Sequence, residues 1–104
     1  MIPPRFDELI HAPTRLSLVS LLAATEWADF RFLRESAGLS DSALSKQLTT
    51  LQDAGYIEIR KGFVGKRPRT WARLTGVGRA AFDQHVAALQ EIVAKAGASV
   101  LRTP

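Results

Sequence analysis

Near the middle of this chain, Ser42, Ser45, Lys46, Thr49 and Thr50 bring short hydroxyls and one ammonium together within nine residues. Leu44, Leu48 and Leu51 between them stand at i, i+4 and i+7, one apolar stripe on a 3.6-residue period, so the segment reads as a helix. At about 100° per residue, both later leucines fall within about 40° of Leu44. Ser42, Lys46, Thr49 and Asp53 then lie on the opposite face, with Ser45 and Thr50 beside them. Hydroxyls and an ammonium can hydrogen-bond base edges, and small side chains let a helix sit deep in a groove about 12 Å wide. Asp41 can complement the positive helix N-terminus or accept from a cytosine amino group, whereas Asp53 lies at the far end, outside such a groove. A few residues on, Arg60, Lys61, Lys66, Arg67, Arg69 and Arg73 follow one another with no carboxylate between them. Of these, Lys61, Lys66, Arg67 and Arg69 are placed to neutralise phosphates or to enter a narrow minor groove. A solvated helix face and a solvated basic loop are the ordinary alternatives. The two features side by side favour the polyanionic partner. Phe63 and Trp71 can stack on bases, but aromatics chiefly bury area, and packing the ribbon onto the domain is the expected use of both.

Catalytic chemistry finds little to work with. The chain has no cysteine, which removes thiolate metal sites, cysteine nucleophiles and disulfides together. Its two histidines, His11 and His85, have no carboxylate at ligand spacing and read as structural or surface groups. Gly76-Val77-Gly78 lacks the remaining spacing of a phosphate loop, and Asp7-Glu8 is the only adjacent acidic pair. No enzyme, no metal and no cofactor are indicated.

The charge balance agrees. Fourteen Lys+Arg against ten Asp+Glu give a net +4, and the pI is near 10.1. Residues 1–39 carry net −1, residues 40–73 net +4 and residues 74–104 net +1, so the excess is concentrated around the helix and the basic stretch. At 104 residues, 46% hydrophobic and 23% charged, the chain is expected to be one folded domain, 1–104. No apolar run exceeds four residues (Leu21 to Ala24 is one), so no membrane span is expected. The start shows no secretory signal, and the expected location is cytoplasmic.

The elements that must position these residues can be read in order. Residues 5–11 form a short amphipathic segment stopped by Pro13, which can itself open a helix over 14–25 that is apolar nearly all round and therefore central. Trp27 to Phe30 reads as a connector or very short strand, and Phe32 to Ala37 as a short helix ended by Gly38. Ser40 caps the hydroxyl-bearing helix, 41–54, which Gly55 closes. Tyr56 to Lys61 alternates as a half-buried strand, Gly62 to Arg67 reads as a hairpin loop stiffened by Pro68, and Thr70 to Leu74 returns. Thr75 caps a last helix over about 76–97. The expected fold is mainly α with a small β-hairpin (α+β), a winged helix-turn-helix with its wing at about 56–74 and a long C-terminal dimerisation helix.

These residues resemble a known group. Leu39-Ser40-Asp41-Ser42-Ala43-Leu44-Ser45-Lys46-Gln47-Leu48, followed by Leu51-Gln52-Asp53-Ala54-Gly55-Tyr56-Ile57, is similar to the recognition-helix signature of winged-helix transcriptional regulators. Lys61 to Thr70, then Leu74-Thr75 and Gly78-Arg79, resembles the winged-helix DNA-binding subgroup related to the MarR and ArsR regulators. The resemblance implies a homodimeric regulator that binds double-stranded DNA, its helix in the major groove and its hairpin on the flanking groove or backbone. A small-molecule effector, of no identified chemistry, would sit in the dimer crevice. The Cys and His clusters of ArsR-type metal sensing are missing.

The dimer has an independent argument. Phe82, Val86, Leu89, Val93, Ala96 and Val100 follow 4-3-4-3-4 spacing along a helix as long as the domain. Three short helices cannot cover so long a seam, so it is expected to pair with its copy. A winged-helix module that docks a protein partner, without specific DNA binding, is the alternative reading; that use goes with an acidic or apolar recognition face, which this chain lacks. Structured RNA is a third, less suited to this helix because the A-form major groove is deep and narrow.

Overall fold

Short polar residues set where the helices begin. In the computed structural model, which describes the backbone of residues 3–102 and the side chains of residues 3–97, Asp7 caps α1 (Glu8–His11) by accepting from the Ile10 N–H. Pro13 opens α2 (Pro13–Ala23) at its first turn. Asp29 ends the two-residue strand β1 (Ala28–Asp29) and caps α3 (Phe30–Ala37), its carboxylate accepting from the Arg31 and Phe32 N–H groups. That cap starts α3 at Phe30, two residues earlier than the apolar pattern suggests. Ser40 caps α4 (Asp41–Asp53) through the Ala43 N–H at 3.2 Å. Thr75 caps α5 (Gly76–Arg102) through the Gly78 N–H at 3.0 Å.

The sheet is small and antiparallel, in the order β1-β3-β2, with β2 Ile57–Val64 and β3 Arg67–Leu74. Its hairpin corrects the expected loop over 62–67: the strands run on until Val64 faces Arg67, leaving a two-residue turn of Gly65 and Lys66. Gly65 takes φ +63° at the first turn position, the backbone that a II′ turn requires and that a side chain there would strain. Pro68, expected to stiffen a loop, is a strand residue opposite Phe63. One pair in from the turn-closing pair, its missing N–H falls where the β2–β3 ladder needs no donor. β1 pairs with β3 only at Ala28↔Ala72 and Asp29↔Trp71, so no third strand meets Pro68 either.

One core joins these parts. Leu18, Val19 and Leu22 of α2, Leu33 of α3, the three α4 leucines, Ile57, Ala72 and Leu74 are buried together, with α2 packed against α1, α3, α4 and β3. The nearly all-apolar α2 is thus the central helix that its composition implies. α5 lies against α1 and β3 with Ala88 and His85 buried. His85 accepts from the Asp7 N–H at Nδ1 (2.9 Å), which leaves the proton of its neutral ring on Nε2, 3.3 Å from His11 Nδ1. The Phe6 ring packs on both imidazoles at 4.6 Å. Asp7 also accepts from the Tyr56 hydroxyl at 2.5 Å, and that bond raises the Tyr56 pKa. Val100 of the predicted seam lies outside the described side chains.

Candidate nucleic-acid interface

The leucine stripe fixes what α4 shows to solvent. With Leu44, Leu48 and Leu51 buried, Ser42, Ser45, Lys46, Thr49 and Gln52 are exposed. The wheel divides them further. Asp41, Gln52, Ser45 and Thr49 lie about 60° to 140° from Leu44 on one flank, and Ser42, Lys46 and Asp53 form the crest. Gln47 and Thr50 lie on the other flank, toward α2. Gln47 there accepts from Arg15 at 3.1 Å, and Thr50, half-buried, donates to the Lys46 carbonyl at 3.1 Å. Thr50 therefore stands apart from the other predicted hydroxyls. Gln52 was not singled out from the sequence; its 80° position on the wheel, close to the apolar stripe, marked it as flank.

The flank that carries Ser45 and Thr49 faces the hairpin. Between them lies an open groove of about 700 Å³, lined by Ser45, Thr49 and Gln52 from α4 and by Ile59, Lys61 and Thr70 from the strands. The helix face and the ribbon thus form two walls of one concave surface. Arg34 donates to Asp41 at 2.7 Å, tying the mouth of α4 to α3 and leaving that carboxylate partnered.

The hairpin's cations are not alike. Period-two alternation puts Lys61 on the groove side and Arg60, Arg67, Arg69, Trp71 and Arg73 on the reverse. There Arg69 pairs with Asp29 at 2.6 Å and Arg73 with Glu58 at 2.9 Å. Burial pushes the Asp29 carboxyl up, but the Arg69 guanidinium and the Arg31 and Phe32 N–H groups outweigh it and hold its pKa below the usual value. Arg60 and Arg73 also lie over the Trp27 ring, at 4.5 and 4.7 Å. The basic stretch is therefore compensated in part, contrary to its reading as an unbroken positive block. The compensating groups are Asp29, across the sheet, and Glu58, two residues before Arg60. Among the described residues, Lys46, Lys61, Lys66 and Arg67 have no carboxylate partner.

The two aromatics of the hairpin also part ways. Trp71 is half-buried, its ring over Gly62 of the neighbouring strand. Phe63 does not pack onto the domain: it is 72% exposed. Along the last helix, Phe82 packs against the core and Val86 and Leu89 are half-buried, while Val93 and Ala96 are exposed.

A family model described as winged helix DNA-binding domain matches residues 14–93. An uncharacterized protein of Methanocaldococcus jannaschii is 28% identical over 79 residues, 76% of this chain and 86% of that protein. A solved transcriptional regulator homologue from Pyrococcus horikoshii superposes with a TM-score of 0.79 at 20% identity, covering 86% of this chain and 88% of its own. A solution structure from Mycobacterium bovis, a homodimeric winged helix-turn-helix DNA-binding domain of a possible ArsR-family regulator, superposes at 0.59 with 24% identity, covering 85% of this chain and 73% of its own. The match to residues 14–93 takes in both walls of the groove, and the chain belongs to the winged helix DNA-binding domain family.

Proposed function

We propose that this protein is a homodimeric transcriptional regulator that binds double-stranded DNA sequence-specifically, with α4 in the major groove and the β2–β3 wing on the adjacent backbone or minor groove. The observation that carries the reading is the shared groove, in which Ser45 and Thr49 face Lys61 across a concave surface open to solvent. Ser42 and Lys46 on the crest of α4 enter deepest and read base edges. Lys66 and Arg67 hold phosphates, which position the protein without selecting sequence. The homodimer described for the Mycobacterium bovis domain supports the same assembly here.

Fluorescence anisotropy with duplex DNA across a salt series tests this reading. Six or so phosphate contacts per dimer give a log–log slope of about −5. Selection of bound fragments from a random pool then supplies the site. Lys46→Ala and Ser42→Ala lower discrimination between that site and random DNA, whereas Lys66→Ala and Arg67→Ala weaken both alike. A flat salt response, or no binding at low salt, overturns the proposal.

A further inference from the structure

Phe63 is the most exposed of the large hydrophobic side chains among the described residues. Its surroundings make that exposure informative. β1 supports β3 no farther out than Asp29↔Trp71, so the pairs Lys61↔Thr70, Gly62↔Arg69, Phe63↔Pro68 and Val64↔Arg67 form a free ribbon. At about 3.4 Å per residue it projects roughly 10 Å. Phe63 lies on the same ribbon face as Ile59 and Lys61, the two strand residues that line the groove beside α4. Directly across from it is Pro68, whose ring adds a second apolar surface without a donor. Beyond this apolar pair lie two cations with no carboxylate partner among the described residues, Lys66 at the turn and, on the reverse face of the ribbon, Arg67 at the turn-closing pair. The other hairpin aromatic, Trp71, is on the reverse face and covers Gly62.

An exposed phenyl ring on the concave side of the ribbon, near its tip, has an apolar target in the minor groove: the deoxyribose walls and the faces of a base step that the inserted ring itself opens. We propose that Phe63, backed by Pro68, is a wedge that the wing presses into the minor groove, unstacking a base step and bending the duplex. This rests on the DNA-binding reading above. It adds a source of selectivity that α4 does not supply, because pyrimidine–purine steps such as TA open more easily than the stiff steps of an A-tract.

The probe is a duplex carrying 2-aminopurine at the TA steps of an alternating TA tract, with an A-tract duplex of equal length and the same label as control. Binding by the wild-type protein raises 2-aminopurine fluorescence in the TA duplex and much less in the A-tract. Phe63→Ala removes the rise and weakens TA-tract binding roughly tenfold, the scale of losing one base-contacting aromatic, while the salt slope stays unchanged. Phe63→Leu keeps most of the rise. Because the side chain is exposed, both variants melt like the wild type. If wild type and Phe63→Ala bind with the same salt dependence, affinity and fluorescence, the wedge is wrong and the DNA-binding reading stands. If the wild type binds neither duplex at low salt, the underlying reading falls and takes the wedge with it. A lower sedimentation mass for Phe63→Ala assigns the ring to a contact between copies and likewise overturns the proposal.

Discussion

Arg67 and Arg69 are two residues apart and chemically identical, yet only Arg69 is held by a carboxylate, Asp29, at 2.6 Å. The sequence shows the charge of both; it hides the pair, because Asp29 is 40 residues away and reaches Arg69 only through the β1–β3 register. Arg67→Ala should therefore weaken binding to any duplex and flatten the salt slope by about 1 per protomer, measured by anisotropy. Arg69→Ala should change the slope less and cost about 0.5 kcal/mol of stability, the ordinary worth of a half-exposed ion pair. Gly78 carries a constraint equally invisible beforehand. Its spacing to Gly76 excludes a phosphate loop and gives it no other role, but the first turn of α5 crosses the Tyr56 backbone so closely that a Cβ at position 78 would meet the Tyr56 carbonyl oxygen at 2.0 Å. Backbone cannot swing aside as a side chain can, so Gly78→Ala should cost about 3 kcal/mol, read as a lowered urea midpoint.

Elements were legible where one periodicity governed them. Leu44, Leu48 and Leu51 define α4 and its outward face unaided, and Ser40 marks its start. The wing was less legible because Gly62 and Pro68 are turn residues by type but strand residues by register, which long-range pairing decides. The junction of α1 and α5 could not be read at all, since His11 and His85 lie 74 residues apart and meet only in the folded chain. That junction predicts a pH dependence. Burial, and then the neighbouring His11, lower the His85 pKa below its ordinary 6.5, outweighing the opposing pull of Asp7 and Glu8. The folded state thus binds fewer protons than the unfolded state as pH falls through about 6.5. Stability contributed by neutral His85 is therefore full above that pH and is lost below it, with a slope of at most about 1.4 kcal/mol per pH unit for one proton. Structurally, a proton on Nδ1 removes the acceptor of the Asp7 N–H and loosens α1 from α5. Urea midpoints measured from pH 7.5 to 5.5 should fall for the wild type and fall less steeply for His85→Leu; equal slopes would remove His85 as the cause.

At the scale of the molecule, the principal extents are 65 × 29 × 20 Å, and the long axis reflects α5, whose 27 residues run about 40 Å. The seam predicted from its spacing divides into two parts. Its N-terminal part serves this chain's own core, with Phe82 packed against it and Val86 and Leu89 half-buried. Beyond Leu89 every described residue through Gly97 is exposed, including Ile92 at 54% and Val93 at 68%. Exposed β-branched side chains on the free end of a long helix lose hydrophobic stabilisation that a second copy, antiparallel or parallel, would restore at about 25 cal/mol per Å² covered. A division of roles follows that a uniform seam would not give. Val93→Asp should leave the urea midpoint of the monomeric fold unchanged while shifting sedimentation from dimer to monomer. Phe82→Ala should do the reverse, costing about 3 kcal/mol of stability through a cavity in the core and so lowering the urea midpoint while the dimer persists. The Val93→Asp monomer keeps its α4 face and wing, so it should still bind DNA, but as one half-site. Its salt slope should be about half that of the dimer, and its preference for two half-sites spaced by about 34 Å should vanish. A Val93→Asp protein that remains dimeric and keeps that spacing would place the contact between copies elsewhere, on the N-terminal segment or the partly buried stretch of α5.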